Sequence, residues 1–381
     1  MGYLRGRKRV IRVTSRRVTR TDYWLVLVVL ALVVVGLVMV YSASYHFPFV
    51  SEKYEAQPPN YFLRRQTIFA LVGLAGMVIL ARVDYQLYRR FAVPILVATV
   101  IILVVMAPLG RWLLRTQRSV QLAELAKLGV MIYMSVWLAS KGDEIRHLTL
   151  GLMPFALLLV FLCVLVVLQP DFSTAALLVA TASSMLLVAG ADVRGLLVYL
   201  LFVCAVLMPV SVFAPYVFVR IRSWLGSPLR ASVGEGFQLV QSLGALQKGG
   251  WLGVGLGQSE QKLALYAPHS DCIFAVVAEE LGFVGAGFVI ALYGLWTWRG
   301  LRIAWYAQDA YGMLLAVGIV AWVTFQAALH IGALTDATPL TGTVLPFVSS
   351  GGSSLTTSLA SVGILLSVAR GSRTGEGAQD S

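Results

Sequence analysis

A polar segment passes directly into an apolar run in Tyr266-Ala-Pro-His-Ser-Asp-Cys-Ile-Phe-Ala-Val-Val-Ala-Glu-Glu-Leu-Gly282, and Asp271 lies where the two meet. The apolar run continues to about residue 298, which is long enough for a helix that crosses a membrane. A carboxylate at the boundary of a membrane span is costly to keep there and usually has a function. The stretch therefore predicts an integral membrane protein with a functional acid at the mouth of one span.

The composition of the whole chain supports the same class of protein. Of its 381 residues, 58% are hydrophobic and only 13% are charged, and the mean hydropathy is +0.80. Apolar runs predict about ten transmembrane helices, and their continuous rather than alternating pattern disfavours a β-barrel. We place the runs at roughly 23–43, 62–81, 92–107, 124–140, 151–168, 172–189, 194–213, 272–298, 310–331 and 354–370.

The distribution of charge predicts the orientation of the chain. The net charge is +12, and the first 20 residues carry eight Arg or Lys side chains and no acid. The positive-inside rule places this tail in the cytoplasm, and an even number of spans places the C-terminus there too. A nucleic-acid-binding arm is the alternative for the tail, but contact with anionic lipid is favoured. We predict a basic cytoplasmic tail at 1–22, one polytopic domain at 23–370 and a cytoplasmic C-terminal tail at 371–381.

The largest loop, residues 214–271, joins predicted helices 7 and 8 on the outer side. Several arginines on that side run against the positive-inside pattern. Because arginine forks match phosphate oxygens, one interpretation is a cleft for a lipid diphosphate, and the other is solvated loop charge. The candidates are Arg111, Arg115 and Arg118 in the third loop and Arg220 and Arg222 in the large loop.

Two further features of the large loop predict structure rather than chemistry. Residues 236–246 form an amphipathic stretch, which predicts a helix at the membrane interface. Residues 249–257 are rich in glycine but lack the flanking strand and helix of a nucleotide-binding loop. We expect these glycines to permit tight turns.

Acids also occur inside or beside the predicted spans. Glu124 and Lys127 are three residues apart on one helix face, so they form either an internal ion pair or part of a substrate site. Asp171 either caps the helix that follows it or faces the substrate. Glu279 and Glu280 lie within a span, and at least one of them must face the bundle interior, where an acid needs a partner.

A broken segment, residues 338–355, interrupts the membrane region just before the last span. Its two prolines and the Gly351-Gly352 pair forbid a continuous helix. Irregular backbone at membrane depth is tolerated only where protein groups or water in a cavity form hydrogen bonds with its N–H and C=O groups. The hydroxyl groups of Ser349, Ser350, Ser353 and Ser354, with free amides of the next helix, can hold an anion. We therefore expect this segment and the Asp271 segment to converge on one pocket.

Five blocks of this sequence, taken in order, resemble those of the FtsW/RodA/SpoVE (SEDS) family of bacterial wall growth. The broken segment is the most specific of them. The Gln261-Lys262 pair and His269 are more similar to the FtsW branch than to the RodA branch. The blocks span residues 41–44, 121–127, 169–174, 236–282 and 338–355.

The resemblance implies an all-α, GT-C-like fold of about ten transmembrane helices in the bacterial cytoplasmic membrane. It implies a peptidoglycan glycosyltransferase that polymerises lipid II at the outer face, with Asp271 as the essential acid. The implied partners are a class B penicillin-binding protein that supplies the transpeptidase, and divisome or elongasome proteins, but not nucleic acid. Besides the outer arginines, we place substrate contacts at Glu124, Lys127, Asp171, Gln241, Lys262, His269, Ser349, Ser350, Gly351, Gly352 and Ser353.

The predicted mechanism is a base-assisted, inverting transfer. Asp271 takes the proton of the GlcNAc 4-hydroxyl group of one lipid-linked saccharide, and the oxygen attacks C1 of MurNAc on undecaprenyl-diphosphate-linked glycan. Outer arginines stabilise the leaving diphosphate. The sequence contains no evident metal-ligand cluster, and a role for a divalent cation (Mg²⁺ or Mn²⁺) stays open.

Two other functions fit parts of the sequence. Charged membrane residues and a broken helix also suit a transporter that flips lipid II. A scaffold without enzymatic activity, in a division or elongation complex, is the third possibility. Polymer formation by detergent-solubilised protein would distinguish the enzyme from both.

Overall fold

The computed structural model describes residues 22–50, 57–116, 122–147, 151–169, 171–212, 224 and 235–371. The regular elements of these residues are helices, and no strand occurs among them. In chain order the helices are α1 (Tyr23–Ser44), α2 (Phe47–Val50), α3 (Tyr61–Arg82), α4 (Tyr85–Arg90), α5 (Ala92–Thr116), α6 (Leu122–Lys141), α7 (Met153–Val167), α8 (Phe172–Val188), α9 (Val193–Val212), α10 (Glu235–Gly249), α11 (Ile273–Trp305), α12 (Ala310–Leu334) and α13 (Gly352–Gly371).

Each of the ten predicted apolar runs corresponds to one of these helices. Within the described residues, α1, α3, α11, α12 and α13 are long and apolar enough to cross a membrane. Shorter apolar stretches lie in α5, α7, α8 and α9, whereas Glu124 and Lys127 interrupt the apolar run of α6. The prediction of an all-α, multi-pass membrane protein is confirmed.

The end of α5 differs from the prediction. We expected the span to stop near residue 107 and a loop to follow, but the helix continues to Thr116. Arg111 and Arg115 therefore lie on the last turns of a helix, not in a loop. The residues that follow Pro108 include leucines and arginines, which are strong helix formers, and the helix continues past this proline although an internal proline disfavours helix. The side chains of Arg111 and Arg115 lie outside the described part of the structure.

Small residues let the helices approach closely, as is common in membrane bundles. Where α13 packs along α3, a Cβ atom on Gly363 would lie 2.6 Å from the carbonyl oxygen of Met77. On α1, a Cβ atom on Gly36 would lie 2.6 Å from the carbonyl oxygen of Phe347. The second contact places the broken segment directly against α1.

The glycine-rich loop, residues 249–257, packs against a break in α11. Gly282 has φ 67° inside the helix, so the regular backbone hydrogen bonding stops there. The main chain of residues 249–257 lies against this break, and a Cβ atom on Gly253 would lie only 2.1 Å from the carbonyl oxygen of Glu280. The glycines thus allow two backbones to touch. The bonds that join them are Val254 N to Glu279 O (3.0 Å), Gly255 N to Glu280 O (3.1 Å) and Phe283 N to Gly250 O (2.9 Å).

Ion pairs and caps fix the end of the bundle that is opposite to Asp271. Arg299, near the end of α11, pairs with Asp22 at the start of α1, with 2.8 Å between Nη2 and Oδ1. Asp309 caps α12 and accepts a 2.9 Å hydrogen bond from the Tyr85 hydroxyl group. Since Asp271 precedes α11, both ends of the described chain lie at one end of the bundle and Asp271 lies at the other.

Candidate active site

Asp271 lies in the turn that leads into α11. Its backbone N–H donates to the carbonyl oxygen of Ala267 at 3.1 Å, and Ala267 itself has the left-handed φ of 48°. Cys272, the next residue, is buried, whereas Asp271 is partly exposed. The turn therefore holds the Asp271 backbone at the surface of the bundle while the residues after it enter the core.

The broken segment is bonded directly to this turn. The Ser349 hydroxyl group donates to the carbonyl oxygen of Ser270 at 2.7 Å, and the Ser350 N–H donates to the carbonyl oxygen of His269 at 2.8 Å. The structure thus brings together the two irregular segments that the sequence placed in one site.

The serines and glycines before α13 have different surroundings. The Ser349 side chain is buried, and its Oγ atom also accepts from the N–H of Leu345 at 2.8 Å, so this hydroxyl group shapes the loop. Ser350, Gly351 and Ser353 are partly exposed around the first turn of α13. A direct contact of substrate with this turn stays a prediction.

Lys262 lies inside a buried polar network. Its side chain is 4% exposed, and its Nζ atom is 3.3 Å from Glu280 Oε1, 2.6 Å from the carbonyl oxygen of Gly257 and 3.3 Å from that of Ser42. The Ser42 hydroxyl group contacts both carboxylate oxygens of Glu280, at 2.7 and 2.6 Å. The network ties α1, the glycine-rich loop and α11 together beside the Asp271 turn.

Glu279 completes this network from the neighbouring position. Its carboxylate accepts from the Ser259 hydroxyl group and from the backbone N–H groups of Glu260 and Gln261, the latter two at 3.1 and 3.3 Å. Both Glu279 and Glu280 are 1% exposed. The prediction that at least one of the two acids faces the interior and has a partner is confirmed.

Glu124 and Lys127 form the internal ion pair that was one of their two interpretations. Lys127 Nζ is 2.7 Å from Glu124 Oε1 and 3.0 Å from Gln326 Oε1. Gln326 in turn donates to the carbonyl oxygen of Val344 at 3.0 Å. The pair therefore connects α6 and α12 to the broken segment. Within the described residues, Glu124 Oε2 is buried without a hydrogen-bond partner.

Asp171 caps α8, since its carboxylate accepts from the Thr174 N–H at 3.0 Å. The adjacent Ser173 hydroxyl group donates to the carbonyl oxygen of Thr341 at 2.6 Å. On α3, the Gln66 side chain donates to the carbonyl oxygen of Ser349 at 3.0 Å. On α11, the Tyr293 hydroxyl group donates to the carbonyl oxygen of Pro346. Side chains of four helices, α3, α8, α11 and α12, thus satisfy carbonyl groups of the broken segment, as its position in the membrane requires.

His269 lies in an aromatic cluster. Its ring centre is 4.5 Å from that of Phe62 and 5.2 Å from that of Phe47. Burial, and then the charges of Arg65 and His46, lower the pKa of His269 to about 4. The imidazole is therefore neutral at pH 7, and a contact with substrate would use a neutral ring.

Of the remaining predicted site residues, the structure describes Gln241 but not three of the outer arginines. Gln241 is partly buried on α10, which packs against α11. The predicted interfacial stretch is thus a helix. Arg118, Arg220 and Arg222 lie outside the described residues, as do residues 214–223 and 225–234 of the large loop. No group of three or more His, Cys, Asp or Glu side chains is arranged for a metal ion in the described ranges.

Sequence reasoning missed three polar side chains that build the site. Gln66 and Gln326 each support the broken segment, and Ser42 holds Glu280. Gln66 and Gln326 are 2% and 1% exposed within otherwise apolar helices. The sequence did indicate such a role, because a lone polar side chain in a span usually faces the bundle interior and forms a hydrogen bond there.

These features define a multi-pass membrane protein that holds a carboxylate at one end of its bundle, beside a broken segment that several helices support. The chain belongs to the FtsW/RodA/SpoVE family of cell cycle proteins, which it matches over residues 23–374.

Curated relatives cover nearly the whole chain. The stage V sporulation protein E of Bacillus subtilis (strain 168) is 38% identical over 366 residues, which are 93% of this chain and 98% of that protein. The probable peptidoglycan glycosyltransferase FtsW of Trichlorobacter lovleyi is 38% identical over 370 residues, which are 93% of this chain and 94% of that protein.

Solved structures share the fold. A chain in a structure described as "structural coordination of polymerization and crosslinking by a peptidoglycan synthase complex" is 28% identical, with a TM-score of 0.73, and the match covers 93% of this chain and 98% of that one. The rod shape determining protein RodA of Thermus thermophilus is 23% identical, with a TM-score of 0.63 and the same coverage.

Proposed function

We propose that this chain polymerises lipid II into the glycan strands of peptidoglycan, with Asp271 as the general base. Relatives named peptidoglycan glycosyltransferase support the class of enzyme, since one of them aligns with 93% of this chain at 38% identity. The observation that carries the role of Asp271 is the direct bonding of its turn to the serine-rich broken segment. A base that acts on a sugar hydroxyl group needs such a fixed position at the edge of the bundle.

In the proposed step, the Asp271 carboxylate accepts the proton of the GlcNAc 4-hydroxyl group. The oxygen then forms a bond to C1 of MurNAc, and the bond from C1 to the diphosphate oxygen breaks. The electron pair leaves with undecaprenyl diphosphate, so the configuration at C1 inverts. Positioned cations stabilise the charge that develops on the leaving group, and the candidates are Arg111, Arg115, Arg118, Arg220 and Arg222. A divalent cation (Mg²⁺ or Mn²⁺) bound to the diphosphate would further stabilise the charge of the leaving group.

The proposed location is the outer face of the bacterial cytoplasmic membrane. The basic tail favours a cytoplasmic N-terminus, and Asp271 lies at the end of the bundle opposite to the start of α1. The proposed partner is a class B penicillin-binding protein that cross-links the product. It is supported by the similar chain found in a complex that coordinates polymerization and crosslinking.

The test is polymerisation of lipid II by purified protein in detergent, with and without the transpeptidase partner. We expect Asp271→Asn to lose about 10²–10⁴-fold in rate, because it removes a positioned base. Asp309→Asn is the matched control, since asparagine still caps α12 at the far end of the bundle; its rate should equal that of the wild type.

Three outcomes would contradict the proposal. If Asp271→Asn polymerises at the wild-type rate, Asp271 is not the base. If wild-type protein with its partner makes no polymer in detergent but moves lipid II across a liposome membrane, the chain is a flippase. A complex that does neither would indicate a scaffold.

A further inference from the structure

A cavity of about 370 Å³ opens beside the N-terminal end of α3, at the same end of the bundle as Asp271. Arg64 and Arg65 lie on its wall with Tyr61, and Ile68 and Phe69 form an apolar part of the lining. None of the described lining residues is acidic. The cavity therefore combines two positive charges with an apolar surface.

Both guanidinium groups are available to a ligand. The two side chains are exposed, and neither donates a hydrogen bond or joins an ion pair within the described part of the chain. The Arg65 guanidinium carbon lies 5.9 Å from the centre of the Phe69 ring, a contact that orients it. Arginine has five N–H donors in a planar fork, and this geometry suits phosphate oxygens.

The cavity is structurally joined to the Asp271 turn. Gln66, which follows Arg65, donates to the carbonyl oxygen of Ser349, and Ser349 donates to that of Ser270. On the other side, a Cβ atom on Gly352 would lie 2.4 Å from the Phe69 ring. The cavity thus lies next to the proposed active site without including Asp271.

An apolar strip continues from the cavity along α3. Ile68, Leu71 and Val72 are 60%, 62% and 55% exposed, and their spacing places them on one face of the helix. Within a membrane such a face contacts lipid chains. A ligand that fits both parts has an anionic phosphate head and a long hydrocarbon tail.

We propose that this cavity binds the diphosphate of the acceptor lipid II while its polyprenyl chain lies along the exposed face of α3. The proposal rests on the proposed function, because it assigns one of the two substrates of that reaction. The leaving diphosphate must lie at the reacting carbon, beside Asp271, and so it belongs elsewhere. The acceptor keeps its diphosphate, which is separated from the attacking 4-hydroxyl group by the disaccharide. A cationic cavity beside the Asp271 turn, but not containing it, meets that requirement.

The experiment compares the double variant Arg64→Gln/Arg65→Gln with the matched control Arg89→Gln/Arg90→Gln, whose arginines are exposed on α4 at the opposite end of the bundle. One arm measures the polymerisation rate against lipid II concentration. The other measures binding of undecaprenyl diphosphate and, separately, of phosphatidylglycerol to the purified protein. We expect about a tenfold or larger increase in the half-saturating lipid II concentration, with the saturating rate retained, because charge-assisted hydrogen bonds are lost. Undecaprenyl diphosphate should bind correspondingly more weakly, with phosphatidylglycerol and the control unchanged.

Several results would overturn the assignment. Equal weakening for phosphatidylglycerol would make the cavity a general site for anionic lipid headgroups. A lower saturating rate with unchanged half-saturation would place the arginines at the leaving group. Unchanged binding in the double variant would remove the cavity from the substrate path. If wild-type protein makes no polymer, the proposed function fails, and the binding arm still shows whether the cavity recognises the diphosphate.

Discussion

Replacing Lys262 with methionine should strongly destabilise the bundle, because Lys262 is the cation of the network that holds α1 and α11 together. The Lys262 and Glu280 side chains are 4% and 0% exposed, so the pair is shielded from water. Removing one member of a buried ion pair typically costs about 3–5 kcal/mol, since the other charge is left buried without its partner. Glu280 would keep the Ser42 hydroxyl group and a 3.4 Å contact from the Ser259 N–H. We therefore expect a loss near the lower end of that range.

The assay is reversible unfolding in mixed micelles, followed by tryptophan fluorescence, in a double-mutant cycle with Glu280→Gln. Because the two side chains interact, the double variant should lose less stability than the two single variants together, by about 1 kcal/mol or more. Lys248→Met is the matched control. Lys248 pairs with Glu260 at 2.7 Å, but both side chains are exposed, so its removal should leave the unfolding transition in place.

Either of two results would refute this expectation. In the first, Lys262→Met lowers the free energy of unfolding no more than Lys248→Met does. In the second, the losses in the two single variants add up to the loss in the double variant. The first result would mean that solvent reaches the network and screens it. The second would mean that Lys262 and Glu280 do not stabilise each other, whatever their separation.

Two further predictions concern the same end of the molecule. Because the pKa of His269 is lowered to about 4 in the folded state, its neutral form stabilises the fold above its ordinary pKa of 6.5, and this contribution is lost as the pH falls towards 4. His269→Phe should therefore flatten the fall in thermal stability between pH 7.5 and pH 5, and an unchanged pH profile would contradict this. Gly253→Ala should destabilise the protein by at least about 1 kcal/mol. Gly253 has φ 82°, and an added Cβ atom would lie only 2.1 Å from the carbonyl oxygen of Glu280. Gly76→Ala, whose added Cβ atom would meet nothing within 4 Å, is its control, and equal melting temperatures for the two variants would contradict the argument.

The helices could be predicted from the sequence because the membrane requires long apolar runs, and each run corresponds to a helix. The contacts that build the site could not, because they join residues far apart in the chain. Ser42 and Glu280 are separated by 238 positions, and Gln66 and Ser349 by 283. The break at Gly282 was also missed, since a glycine inside an apolar run is common in membrane helices. Its cause is the backbone of the glycine-rich loop, which lies elsewhere in the sequence.

Lys262 differs from Arg64 and Arg65 in its surroundings, and this difference bears on how a phosphate would bind. A lysine has three N–H donors, and Lys262 already faces three acceptors: Glu280, Gly257 and Ser42. A phosphate could reach Lys262 only by breaking one of these contacts, which join α1, the glycine-rich loop and α11. The predicted substrate contact of Lys262 stays a prediction. Arg64 and Arg65 have no such partners among the described residues and lie at an opening. In the binding that we propose, the phosphate therefore contacts these two arginines, while Lys262 and Glu280 join α1 to α11.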